Sequence, residues 1–513
     1  MGSPHTTSRA VVVGLDCSTT GTKAIAFDRR GVVVAQALVP LRLYSPKPNY
    51  YEQKPEEWWN SVKRVLNEIT DHVDPARISA LAVSNQRETF VPLDETMHPL
   101  RPAIVWLDER CKSEVEPFSR KVGKARIHRI SGKPVDYAPV VYRLAWMKRH
   151  EPRLFRRIGM ICDVQSYIVS KLTGGFATSW ASADPLGLFD MKGREWSSSI
   201  LGSLGLTTSQ LPQLFRPGIH IGGVTNDASR LTGLCAGTPI VASGGDGQAA
   251  GLGSNALSPK RAYLNLGTAA VAGVYSSRYL TSKAFRTLCA CSESGYYYEC
   301  SLRAGTFTLD WLVRNILGIN PTSRPTIYEE LEREAGRIPI GSEGLFYVPY
   351  LCGVMNPYWD MDARGIFAGL SSSHGRGHLY RSILEGIAFE QLFALESVEN
   401  AVNSRVTELI AIGGGATSAL WCRILADVTG KNVLIPRTGE ASALGAAIAA
   451  AVGAGWYSTF RGAAARMTSI EKTIRPDRKN QRKYSSLFRV YKLIYPNIRR
   501  TGIEDVRRDE SVW

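Results

Sequence analysis

Two stretches of this 513-residue chain set small hydroxyl residues and glycine at the tip of what reads as a strand hairpin. The first is Ala10 to Ala35, AVVVGLDCSTTGTKAIAFDRRGVVVA. Val11 to Leu15 is apolar and β-branched enough for a buried strand, and Thr22 to Phe27 reads as its hairpin partner, turning again at Arg29-Arg30-Gly31. Between them Ser18, Thr19, Thr20 and Thr22 offer N–H and O–H donors with little bulk, which suits a phosphate group. Asp16 adds a carboxylate at the strand end. The plainer alternative is an ordinary polar hairpin. The second stretch, AYLNLGTAAVAGVYS from Ala262 to Ser276, repeats the device with Gly267 and Thr268 at its tip. The two lie about 250 residues apart, one in each half of the chain, which points to an internal repeat. Facing each other across a cleft, they could hold the phosphate chain of a nucleotide between two domains.

Three further stretches carry chemistry. Thr238 to Ser243 reads as a strand running into GGDGQAAGLG, which sets Asp246 after two glycines. The apolar ELIAI run enters Gly413-Gly414-Gly415-Ala416-Thr417 before a helical SALWCRILADV segment. A glycine-rich strand-to-helix turn lets a flat base or a phosphate approach the backbone, although such a run is commonly just a tight turn. Ile78 to Ser84 reads as a buried strand ending in Ser84-Asn85-Gln86-Arg87-Glu88-Thr89, with Phe90 to Leu93 as its neighbour and a turn at Asp94-Glu95. Adjacent Arg and Glu at a strand end can serve vicinal hydroxyls. Elsewhere such neighbours are mostly a surface pair.

The elements that must position these residues alternate strand and helix. Trp58 to Ile69 is helical after Pro55, Pro139 to Leu172 is mostly helical and closes at Gly174-Gly175, and Gly445 to Ala451 is a small-residue helix suited to close packing. With 44% hydrophobic and 21% charged residues the chain is an ordinary globular protein with room for two or more domains. No apolar run reaches the length of a membrane span, and MGSPHTTSR lacks a signal-peptide core. Gly2 and Thr6 fit a myristoylation pattern, which reads as a loose terminus. Nine scattered cysteines without a C-x-x-C pattern argue for reduced thiols in a cytoplasmic protein and against a zinc site. Of the net charge of +16, a net +8 sits in Arg475 to Arg508. Leu487, Val490, Tyr491 and Ile494 recur there at helical spacing, so the expectation is a terminal amphipathic helix with a solvated basic face rather than a nucleic-acid tail.

From about Ala10 to Gly453 the chain resembles the FGGY carbohydrate kinases. Gly365-Ile-Phe-Ala-Gly-Leu, followed seven residues later by His378-Leu-Tyr-Arg-Ser-Ile-Leu-Glu385, fits the second signature of that family. The GGDGQAAG, GGGATSALW and SALGAA blocks also match. The first signature expects lysine three residues before a tryptophan, where this chain has Arg143-Leu144-Ala145-Trp146. The resemblance implies an α/β fold of two actin/hexokinase-like (ribonuclease H-like) ATPase domains with a cleft between them. The boundaries would be 10–254 for acceptor sugar and base, 255–455 for ATP, and 456–513 as a helical basic extension.

The same resemblance implies ATP and Mg²⁺ as cofactors, with Asp246 as general base and Asp16 holding Mg²⁺ through water. Asp246 read as a helix cap near Gln248 is the structural alternative. Ser18, Thr19, Thr20, Thr22 and Lys23, with Gly267 and Thr268 from the other domain, would bind the γ-phosphate. Gly413, Gly414, Gly415, Ala416 and Ser418 would form the adenosine turn. Gln86, Arg87, Glu88, Trp106, Asp246 and Gln248 would line the acceptor pocket. The QRET tetrad resembles glycerol kinases, whereas YYEQKPEEWW, LRPAIVWLDER, ASADPLGLFDM and YLNLGTA look closer to xylulokinase-type sequences. The longer likeness favours a ketopentose such as D-xylulose, with glycerol or another polyol as the alternative. A non-catalytic, actin-like ATP-binding sugar sensor is the contrasting class; it would need neither Asp246 nor the Arg87-Glu88 pair. The expected partner is a small sugar or polyol, with no nucleic acid and no membrane; a homodimer is left open. Closure is expected to hinge near Gly251 to Pro259.

Overall fold

The computed structural model describes residues 10–502. The Gly2–Thr6 pattern, and Arg507 and Arg508 of the basic run, lie outside the described residues. Strands β1 (Val11–Cys17), β2 (Gly21–Phe27), β3 (Val33–Pro40), β4 (Ile78–Asn85), β5 (His220–Gly223) and β6 (Pro239–Gly245) form a six-stranded sheet in the order β5-β6-β4-β1-β2-β3. The chain folds back from β1 to β2 to β3 antiparallel, then β4 and β6 run parallel to β1. Between β3 and β4 lies helix α1 (Pro55–His72), started by Pro55 and burying Trp58, Val62, Val65, Leu66 and Ile69 against the sheet. After β6 comes α2 (Asp246–Gly253).

The second sheet repeats that plan. Strands β7 (Arg261–Leu266), β8 (Ala270–Ser276), β9 (Arg286–Cys289), β10 (Tyr296–Leu302), β11 (Glu408–Ile412), β12 (Asn432–Pro436) and β13 (Ile470–Ile474) are ordered β9-β10-β8-β7-β11-β12-β13. The core order β10-β8-β7-β11-β12 matches β3-β2-β1-β4-β6, with antiparallel and parallel pairs in the same places. The internal repeat suggested by the two hairpins is therefore a repeat of whole sheets. Helices α3 (Arg376–Val402) and α4 (Ala419–Thr429) cover the second sheet, and α5 (Ala441–Gly453) follows β12 as α2 follows β6.

Helices α2 and α5 pack on each other where the two halves meet, and α5 also lies on β1, β4 and β6. Glycine is required at that crossing. A Cβ at Gly445 would stand 1.9 Å from the Ala249 carbonyl oxygen, and one at Gly253 would stand 2.0 Å from that of Ala441. The close-packed small-residue helix is thus what the sequence led one to expect.

Five expectations are corrected. Phe90–Leu93 does not pair with β4; the turn through Glu88, at φ 50°, carries it into a separate sheet beside Ala103–Ile104 and Met160–Asp163. That last strand also interrupts the helical stretch after Pro139. Residues past 455 contain β13, the edge of the second sheet, so they are part of that domain's fabric rather than an extension. In α6 (Arg478–Arg500) the buried face is Tyr484, Phe488, Tyr491 and Tyr495, while Val490 is 52% exposed. The expected hinge begins inside α2, where Gly251 abuts the Tyr297 ring and Gly253 abuts α5, so only the stretch after Gly253 is left to bend. No helix among the described residues is long and apolar enough to cross a membrane.

Candidate active site

Three neighbouring parallel strands end together: Asp16 on β1 is paired with Ser84 on β4, and Ser84 with Gly244 on β6. The carboxyl ends of parallel strands are the usual ligand edge of such sheets. The Ser84 hydroxyl donates to Asp16 Oδ1 at 2.9 Å. Burial, with Asp246 and Glu440 nearby, pushes the Asp16 carboxyl up to about 7 against the opposing effects of Ser84 and Lys23. A cation would relieve that gathering of carboxylates, so the residues fit Mg²⁺. No group of three or more His, Cys, Asp or Glu suited to hold a metal occurs among the described residues. Mg²⁺ bound at Asp16 would take its other ligands from water and phosphate.

Asp246 opens α2 with 39% of its side chain exposed, and its Oδ1 accepts the Gly247 amide at 2.7 Å and meets Arg87 Nε at 3.0 Å. Burial raises its proton affinity and Glu88 and Glu299 add to that, while Arg87 and the Gly247 amide oppose it. The flanking glycines make room for the arginine. A Cβ at Gly245 would stand 2.4 Å from Arg87 Cγ, and one at Gly247 would stand 2.9 Å from Cζ.

The expected acceptor set divides. Arg87 and Glu88 reach into a buried ionic cluster completed by the second domain: Arg87 Nη1 to Glu299 at 2.8 Å, and Arg286 Nη1 to Glu88 at 2.7 Å. Burial alone would raise Glu299, but Arg87 and Arg286 hold it down at about 2. Trp106 Nε1 donates to Thr19 Oγ1 at 2.8 Å. Gln86 is consumed internally: it accepts from Thr19 and donates to Gln53 Oε1 at 2.7 Å. Gln248 is fully buried, donating to the Ala181 carbonyl at 2.8 Å, beside a buried Lys133–Asp184 pair. Gln86 thus has both amide atoms engaged within the protein, whereas the buried Gln248 Oε1 has no hydrogen-bond partner among the described residues.

The phosphate set divides too. Ser18 closes the first tip by donating both its amide and hydroxyl to the Gly21 carbonyl, and Thr20 is exposed at the turn. Thr22 leaves the set: the period of the strand turns it into the core, where its hydroxyl meets Ser61 at 2.6 Å. Lys23 pairs across the cleft with Glu440 at the start of α5. The second tip is braced from behind, with the Gly267 carbonyl accepting from Thr306 and that of Thr268 from Gly305. In the Gly413–Gly415 turn, a Cβ at Gly413 or Gly415 would strike Asn265 or Trp421, whereas Gly414 faces open space. Ala416 is partly buried beside it. Ser418 caps α4 and donates to Glu332, so its hydroxyl is already spent.

Glu299, Arg286, Tyr263, Gln53 and Glu440 were not among the expected site residues: Glu299 and Arg286 are distant in sequence from any motif, whereas Tyr263 and Gln53 lie inside quoted stretches and Glu440 just before the SALGAA block, with no local sign of their contacts. Arg143 carried a signal in its departure from the family signature. It is fully buried and donates to the carbonyls of Trp106, Ala138 and Glu88, thereby tying together the loops that hold the candidate acceptor residues.

Residues 11–253 match the N-terminal domain, and residues 262–454 the C-terminal domain, of the FGGY family of carbohydrate kinases. A xylulose kinase of Bacillus subtilis is 29% identical over 97% of this chain and 99% of its own length. A gluconokinase of the same organism is 26% identical over 88% of each chain. The crystal structure of xylulose kinase from Rhodospirillum rubrum superposes with a TM-score of 0.88 at 28% identity, covering 96% of this chain and 99% of that one.

Proposed function

The chain belongs to the FGGY family of carbohydrate kinases, with the family's two-domain actin/hexokinase-like fold, and we propose that it transfers the γ-phosphate of ATP to a hydroxyl of a neutral ketopentose such as D-xylulose. The observation that carries this reading is Asp246. It is a partly exposed carboxylate of raised proton affinity at the ligand edge of the first sheet, in contact with Arg87. A base of this kind takes the proton of the attacking hydroxyl as the bond to phosphorus forms. Arg87, Glu88 and Trp106 orient the sugar, the tips at Thr19–Thr20 and Gly267–Thr268 fix the phosphates, and Gly414 leaves room for adenosine. Mg²⁺ held through Asp16 would neutralise phosphate charge.

Charge balance supports a neutral acceptor over gluconate. Arg87 and Arg286 are outnumbered by Asp246, Glu88 and Glu299, so the cluster has no spare cation for a substrate carboxylate. The nine free cysteines suit a cytoplasmic enzyme. An ADP-release assay over D-xylulose, D-ribulose, glycerol, erythritol, arabitol and gluconate tests the reading. D-xylulose is expected to give the highest kcat/KM; a preference for gluconate would refute the charge argument, and no turnover of any sugar would favour the sensor.

A further inference from the structure

The acceptor-facing pair is held from the other domain. Glu299 lies within β10 with no exposed surface; its Oε2 meets Arg87 Nη1 at 2.8 Å and accepts the Tyr263 hydroxyl at 2.6 Å. Its Oε1 accepts Arg286 Nε at 2.7 Å, and Arg286 passes its Nη1 to Glu88. Both side chains of the Arg87-Glu88 pair therefore end on β9 and β10, strands that belong to the half expected to serve ATP alone. Tyr263 ties the cluster to β7, and β7 runs four residues on into the Gly267–Thr268 tip.

We infer that Glu299, with Tyr263 and Arg286, is a positioning element for the acceptor: it fixes Arg87 and Glu88 in the geometry that grips the sugar, so that the acceptor site is complete only while the two domains are closed on each other. An arginine and a glutamate at a loop otherwise sample many rotamers, and each ion pair from the second sheet removes that freedom before the sugar arrives. Of the three residues only Tyr263 stands on a strand that runs into the phosphate tip, while Glu299 and Arg286 stand on β10 and β9, so their ion pairs act on the acceptor side. This inference rests on the acceptor role of Arg87 and Glu88 proposed above.

The test is two-substrate kinetics of the full chain with D-xylulose, or whichever panel sugar the wild-type enzyme turns over, for Glu299→Gln and Tyr263→Phe. Glu299→Gln breaks a charged hydrogen bond to Arg87 and is expected to raise the sugar KM by about 10- to 100-fold while the ATP KM moves less than about twofold. Tyr263→Phe keeps the charge and frees only Oε2, with an expected rise of about 3- to 10-fold. A sugar KM within about twofold of wild type, or an ATP KM that rises in step with it, overturns the inference whatever the variant does to stability. If Glu299→Gln yields no folded protein, Tyr263→Phe decides alone. A wild-type chain that phosphorylates no sugar would overturn the functional reading and this inference with it; a working kinase with unmoved variants overturns the inference only.

Discussion

Replacing Arg143 by methionine removes a guanidinium while keeping a long apolar side chain, and it strikes the acceptor site without touching it. The guanidinium donates to the carbonyls of Trp106 at 2.7 Å, Ala138 at 2.8 Å and Glu88 at 3.0 Å, with longer contacts to Asp108. Each orphaned buried carbonyl costs about 1 kcal/mol or more, so the three close bonds together account for about 3 kcal/mol, or about 150-fold in an equilibrium. The cost falls on the loops bearing Glu88 and Trp106, so it should be read in kcat/KM for the sugar, with kcat/KM for ATP at saturating sugar falling less. Arg143→Lys keeps a charge and can satisfy one or two of the carbonyls, so a loss of about 10-fold is expected. Thermal melting in parallel reports any global effect. An Arg143→Met enzyme with sugar kcat/KM within about threefold of wild type would refute the claim that this residue holds the acceptor loops.

Three other outcomes are expected. Glu390 is buried between the Tyr350 and Tyr491 hydroxyls, and burial pushes it up to about 7 from an ordinary 4.5 despite those hydrogen bonds. The fold binds its proton more tightly than the unfolded chain does, so its contribution is fully present below pH 4.5 and is lost as pH rises through about 7; at about 1.4 kcal/mol per pH unit that is about 3 kcal/mol. Glu390→Gln should therefore raise Tm more at pH 8 than at pH 5, and an equal change at both would contradict the assignment. Gly445→Ala forces a methyl against the Ala249 carbonyl between α2 and α5 and should lower stability by about 1–3 kcal/mol in a denaturant or melting assay. A Cβ added at Gly414 would meet no protein atom within 4 Å, so Gly414→Val should leave Tm nearly unchanged while raising the ATP KM and sparing that of the sugar.

The hairpins, the parallel strands and the small-residue helix were legible because each is a local pattern: β-branched runs of strand length, turns rich in glycine and hydroxyls, and a helix with no bulk on any face. Asp246 was legible for the same reason, standing where a strand stops. The role of Thr22 was not, because its strand's two-residue period sends alternate hydroxyls to the core, and only the registered sheet shows which. Gln86 and Ser418 look like ligand contacts in sequence and spend their hydrogen bonds on the protein, while Gln248 spends only its Nε2 and keeps a buried Oε1 without a partner among the described residues. Glu299 and Arg286 were invisible because an ion pair spanning some 200 residues leaves no trace in spacing; the distance is closed only when two sheets meet. The C-terminal amphipathic helix was legible from its spacing, but its exact face was not: the aromatic stripe of Tyr484, Phe488, Tyr491 and Tyr495 decides how α6 lies and leaves Val490 outside.

In the proposed reaction Asp246 accepts a sugar hydroxyl proton during transfer of phosphate from ATP. Asp246→Asn preserves shape and the amide contact from Gly247 while removing basicity. The decisive measurement is turnover of this variant with the preferred sugar, followed by mass spectrometry of the sugar phosphate, alongside calorimetric binding of a non-hydrolysable ATP analogue. The expected result is a phosphorylated sugar from the wild-type enzyme, a fall in kcat of about 10²- to 10⁴-fold in the variant, and an analogue Kd changed by less than about threefold. A variant that retains more than about half the wild-type kcat would contradict it.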